Sequence, residues 1–161
     1  MQAAQKEFLE ERFGAKEWRG RSESGRHLLK GFRFEGSEIK GWKLLRVKDS
    51  DDGKTKTLRS MWSRGNDAEE LFAIDVFLSN SVKGAHEQLL EALANMESGA
   101  IERKTEKSAP GDVAFGLANT MIVLARANVV VLVRNAGRTV VPVGTIARDL
   151  DNQIRRKLES E

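Results

Sequence analysis

Hydrophobic positions recur along this chain with two different periods, and the switches between them mark out its elements. Ala4, Phe8, Leu9 and Phe13 fall at helical spacing with Gly14 as a stop, which predicts a short helix over residues 3–13. Residues 14–41 break that order. Glycines at 14, 20, 25, 31, 36 and 41 interleave with Arg and Lys, so a loop is expected, with one short strand near 28–34. Strand-like runs at 42–48 and 55–64 then flank a polar Asp/Gly turn at 49–53. Residues 71–78 (LFAIDVFL) are apolar on both faces except at Asp75, as a strand in mid-sheet would be.

A helix is predicted next. Ser79, Asn80 or Ser81 can cap it, Val82, Ala85, Leu89, Leu93 and Met96 share one stripe, and Gly99 ends it. A polar strand at 101–107 near a sheet edge, a turn at 108–111 and a short strand at 112–117 follow. Residues 120–126 and 129–135 form a hairpin through Ala127-Asn128, with Asn128 expected to take a positive φ. That register opposes Arg126 to Val129, Leu124 to Val131 and Ile122 to Val133, and leaves both faces apolar. A last helix starts near Pro142 and buries Val143, Ile146, Ala147, Leu150, Ile154 and Leu158.

The order α, meander, α, meander, α describes an α+β fold in one domain of 161 residues. Residues 1–41 are its N-terminal helix and basic glycine-rich segment, 42–98 a first meander–helix unit and 101–159 a second, a pairing that suggests a diverged duplication. Two such units side by side would give one antiparallel sheet with both helices on a single face. The second apolar face of the hairpin would then need cover from residues 1–41 or from a second copy of the chain. Intramolecular cover is favoured, with a homodimer as the added expectation.

Composition adds three constraints. The absence of cysteine removes disulfides and thiolate chemistry, and no apolar run reaches the roughly 20 residues of a membrane-spanning helix. The N-terminus lacks a signal-peptide pattern, so the chain is cytoplasmic or follows a signal that has been removed. Charge is uneven: residues 1–66 hold 16 Lys/Arg against 10 Asp/Glu, whereas 67–161 hold 11 against 14.

Candidate chemistry is sparse. His86-Glu87 lacks the second histidine of a zinc helix, and His86 is expected on a polar helix face. Asp49, Asp51 and Asp52 precede Gly53, but the glycine comes one position early for a calcium loop, and a hairpin turn accounts for them better. Neither a phosphate loop nor a nucleophile elbow is present, and no cofactor or metal is expected. Asp75 is the acid most open to a perturbed pKa. Trp18, Trp42 and Trp62 all lie in the basic half. Interleaved with Arg19, Arg21, Arg26, Lys30, Arg33, Lys43 and Arg46, they suggest a groove in which rings stack on an anionic polymer. The competing expectation is that the tryptophans fill the core and the cations form a solvated face.

From Gly111 onward the runs GDVAFG, MIVLARANVVVLVRNAG and VPVGTIARDLDNQI resemble the closing part of small bacterial domains, often secreted or lipid-anchored, whose function is unassigned. The resemblance covers about residues 71–158. It implies a periplasmic, secreted or lipid-anchored location and a domain that binds or assists, and it transfers no active-site residue. The leading expectation is therefore a non-enzymatic binding or accessory domain that meets an anionic polymer or a protein partner through Arg19, Arg21, Arg26, His27, Arg33, Trp42, Trp62 and Asp75. An enzyme with a dispersed Arg, His27 and Asp75 site is the alternative, and a nucleic-acid-binding protein is the third.

Overall fold

The computed structural model describes residues 2–18, 27–65, 69–96 and 98–160. Helix α1 (Ala3–Phe13) ends at Gly14, whose left-handed φ of 67° lets its N–H reach back to the last turn. The strands are β1 (Lys43–Asp51), β2 (Thr55–Ser63), β3 (Leu71–Ser79), β4 (Glu102–Arg103), β5 (Val113–Leu117), β6 (Met121–Arg126) and β7 (Val129–Asn135). Helix α2 (Val82–Asn95) follows β3, and α3 (Val143–Ser160) follows β7. All seven strands form one antiparallel sheet in the order β1-β2-β3-β7-β6-β5-β4.

The predicted hairpin forms in the predicted register, with Arg126 opposite Val129, Leu124 opposite Val131 and Ile122 opposite Val133. The apolar strand β3 lies inside the sheet between β2 and β7. Ser81 caps α2, its side chain accepting the Gly84 N–H at 2.9 Å. The edge strand at 101–107 contracts to two residues, and 28–34 forms no strand.

The expected placement of the helices fails. The two core helices lie on opposite faces of the sheet. Ile146, Ala147, Leu150 and Ile154 of α3 share a core with Ile74, Val76, Ile122, Leu124 and Val131. Leu89, Leu90 and Leu93 of α2 share the other with Phe77, Val123, Ala125 and Val130. Both apolar faces of the hairpin are thus used, one by each helix. Two units related by a two-fold axis normal to the sheet would keep their helices on one face, so this placement lends the duplication no support.

The N-terminal third supplies the remaining cover, and it is divided between the faces. Leu9, Phe13, Ala15 and Trp18 join α2's side, where Phe13 meets Phe115 edge-on at 5.3 Å. Leu29, Phe34 and Ile39 join α3's side with Trp42 and Leu44 packed against them, and Gln153 of α3 donates to the Glu38 carbonyl at 2.7 Å. Both apolar faces of the hairpin are therefore covered from within the chain. At the end of the sheet Asn128 ties the second segment down, and its role differs from the expected one. The positive φ of the hairpin turn, 52°, belongs to Ala127. Asn128 instead buries its amide, accepting from Leu29 N–H at 2.8 Å and donating to Leu29 O at 2.9 Å and Ser79 O at 2.8 Å.

Candidate functional site

Most of the sequence-predicted site residues are not brought together. Arg19, Arg21 and Arg26 lie outside the described residues. His27 is exposed at the start of the segment that crosses the α3 side, and Arg33, also exposed, pairs with Glu35 at 2.5 Å. Trp62 is fully buried and spends its indole N–H on Ser60 Oγ at 2.9 Å, so its ring is out of a ligand's reach. Trp42 is half-buried between Phe72, 4.6 Å away, and the Arg64 guanidinium, 4.7 Å from its ring. Trp18 is buried too, donating to Phe13 O and meeting His86 edge-on at 5.4 Å. No tryptophan groove forms, because each ring fills a gap beneath a helix or loop that would otherwise leave the sheet wet. His86, expected on a polar helix face, is likewise buried, because α1 and Trp18 pack on the side of α2 that would have faced water.

Two surface features remain. The first is a polar cleft where the β1–β2 turn meets the start of α2. It measures about 530 Å³ and is lined by Lys6, Lys54, Asn80, Ser81, Glu87 and Glu91, among others. A second hollow of about 320 Å³ adjoins it and shares Lys54, Thr55, Ser79 and Asn80. Charges here are balanced: Lys6 pairs with Glu87 at 3.4 Å, and the Asp51 and Asp52 carboxylates accept from Gly53, Lys54 and Thr55 N–H groups of the turn. Neither hollow is lined by Asp75 or His27.

The second feature is a cationic strip on the α2 side of the sheet, and it follows from strand register. Lys48 of β1, Arg59 of β2 and Asp75 of β3 are direct neighbours in one row. Arg46, Met61, Ala73 and Arg134 form the next row. Alternation puts both rows on the face that carries Phe77 and Val130, beneath α2. Helix α2 packs on β3, β6 and β7, leaving the β1–β2 side open, and Arg46, Lys48, Arg59 and Arg134 are all exposed. From β1 to β7 the strip spans three strand spacings, about 14 Å.

Asp75 anchors this strip. Its residue surface is 6% exposed, and burial pushes its carboxyl above the usual carboxylate range, while Arg134 and Arg59 pull it back. Its ion pair with Arg134 is long, 3.9 Å. Among the described residues Arg46, Lys48 and Arg59 form no ion pair. Two arginines elsewhere are paired within the fold. Arg126 grips Asp151 of α3 with two hydrogen bonds, which raise its pKa, and Arg64 grips Glu70. The strip is thus a set of four exposed cations gathered around one buried acid.

Sequence reasoning located the basic excess in residues 1–66, which hold three of the strip's four cations. Arg46 was within reach of it. Lys48, Arg59 and Arg134 required the register, because they come from three strands separated by up to 86 positions. Compared with family models, with curated proteins and with solved structures, the chain matches none of them.

Proposed function

We propose that this chain is a non-enzymatic binding domain that holds an acidic partner against the strip formed by Arg46, Lys48, Arg59 and Arg134. The observation that carries the reading is the contrast in neutralisation. The Arg126 and Arg64 guanidiniums are paired within the fold, whereas three of the four exposed strip cations form no ion pair among the described residues and Asp75 reaches Arg134 only at 3.9 Å. An acid supplied from outside gains attraction there at little cost in desolvation. The bland alternative is that the cations are a solvated face that protects an edge strand. An extracytoplasmic site of action belongs to the same proposal, on the resemblance of residues 71–158 to secreted and lipid-anchored domains.

The test is titration with poly-glutamate and with a sulfated polysaccharide at two salt concentrations. Binding should weaken steeply with salt, and Arg59→Glu with Arg134→Glu should weaken it about tenfold. Equal affinity of wild type and double variant rejects the strip.

A further inference from the structure

The strip ends at a sheet edge whose features narrow the class of partner. The two edges of the sheet are unequal: β4 has two residues, β1 has nine. Half of the N–H and C=O groups of an edge strand face away from the sheet. No hydrogen bond from another described residue reaches the outer side of β1. Among the described residues, two of the four exposed large hydrophobic side chains, Leu45 at 49% and Val47 at 42%, lie on this strand. Leu45 sits where the β1–β2 register shifts, and from Arg46 to Asp51 pairing with β2 is regular. Beyond the bulge, β1 offers an open ladder with Arg46, Lys48 and Ser50 on one face and Val47, Asp49 and Asp51 on the other.

We propose that the outer edge of β1 adds a strand from an extended polypeptide whose residues alternate acidic and apolar. This rests on the strip reading and names its partner. Residues directly opposite in an antiparallel ladder share a face. An incoming strand therefore places acids opposite Arg46 and Lys48 and an apolar side chain opposite Val47, while its backbone completes the ladder.

A second copy of the chain fits poorly at this edge. Two-fold pairing of β1 with β1 opposes residues whose numbers differ by an even amount. The three central registers oppose Arg46 to Arg46, Arg46 to Lys48, or Lys48 to Lys48, and the next opposes Asp49 to Asp49. Every one sets like charges face to face, which is unfavourable.

A soluble peptide of about eight residues alternating glutamate and valine, the length of an ordinary strand, is the probe. It should bind the full chain and slow hydrogen exchange at alternate amides of β1. The variant Arg46→Glu with Lys48→Glu should lose about tenfold in affinity and should prefer a peptide alternating lysine and valine. The substitutions lie on exposed positions of an edge strand, and binding of the charge-swapped peptide shows that the variant is folded. The proposal is overturned if the acidic peptide leaves β1 exchange unchanged, or if wild type binds both peptides equally. It is also overturned if β1 is already protected by self-association in the free protein. If poly-glutamate binds the strip while the alternating peptide gives no β1 protection, the edge proposal fails and the strip reading stands. If neither binds, both fail.

Discussion

The Asn128 side chain grips the Leu29 backbone from both sides, accepting its N–H at 2.8 Å and donating to its carbonyl at 2.9 Å. A hairpin turn thereby does for the N-terminal segment what a neighbouring strand would do. Leu29 itself is 2% exposed and feeds the core beneath α3. The same amide also satisfies Ser79 O, so one residue fixes three chain segments at the end of the sheet.

Asn128→Ala leaves buried backbone groups of Leu29 and Ser79 without partners. With each lost hydrogen bond worth about 1 kcal/mol or somewhat more, the variant should lose about 3 kcal/mol in denaturant unfolding. A loss below about 0.5 kcal/mol would mean that water replaces the amide.

The hairpin register and the α3 stripe were legible because each follows from a single local period. The division of the N-terminal third was not legible. Leu29 and Phe34 are apolar, but nothing in their spacing says which face they serve, and that is decided by a side chain 99 residues away. Helix sidedness failed for a related reason. When both faces of a strand are apolar, as in β3 and the hairpin, the pattern allows a helix on either. The tryptophans misled because composition alone treats a ring that seals a core and a ring that stacks on a ligand alike. The strip needed the pairing of four strands before its charges became neighbours.

Asp151 is a buried acid on an otherwise amphipathic helix, 4% exposed, and its two oxygens serve Arg126 and the Gly111 N–H. Asp151→Ala strands a half-buried guanidinium. The expected cost is about 3 to 5 kcal/mol, read as a lowered unfolding midpoint with unchanged denaturant slope. Asp151→Asn should recover part of that loss through its remaining hydrogen bonds.

Gly137 lies against the backbone at the start of β3, where an added methyl would collide with the Glu69 carbonyl oxygen and stand 2.8 Å from Leu71 N. Its own N–H donates to Leu71 O at 3.2 Å. Gly137→Ala should therefore cost about 3 kcal/mol in the same unfolding experiment. Gly144→Ala, where the added methyl meets no atom within 4 Å, is the control and should be neutral or slightly stabilising.

Asp75 makes a prediction in pH. Its carboxyl is raised by burial in the folded state, so the folded protein binds that proton more tightly than the unfolded chain does. Stability is then lost as pH rises from the ordinary carboxylate value of 3.8 through the raised folded one, and the penalty is complete above it. Asp75→Asn removes the penalty. The variant should melt higher than wild type at pH 7, and the difference should shrink as pH falls toward 4. A difference that grows on acidification would mean that the pair with Arg134 dominates desolvation.

The central claim is that an acidic partner lands on Arg46, Lys48, Arg59 and Arg134. Backbone amide shifts recorded while poly-glutamate is added test it most directly. The account predicts that shifts concentrate on residues 46–48, 59–61, 73–75 and 132–134, and fade at high salt. Shifts confined to the polar cleft around Lys54 and Asn80, or to the α3 face around Arg33, would contradict it.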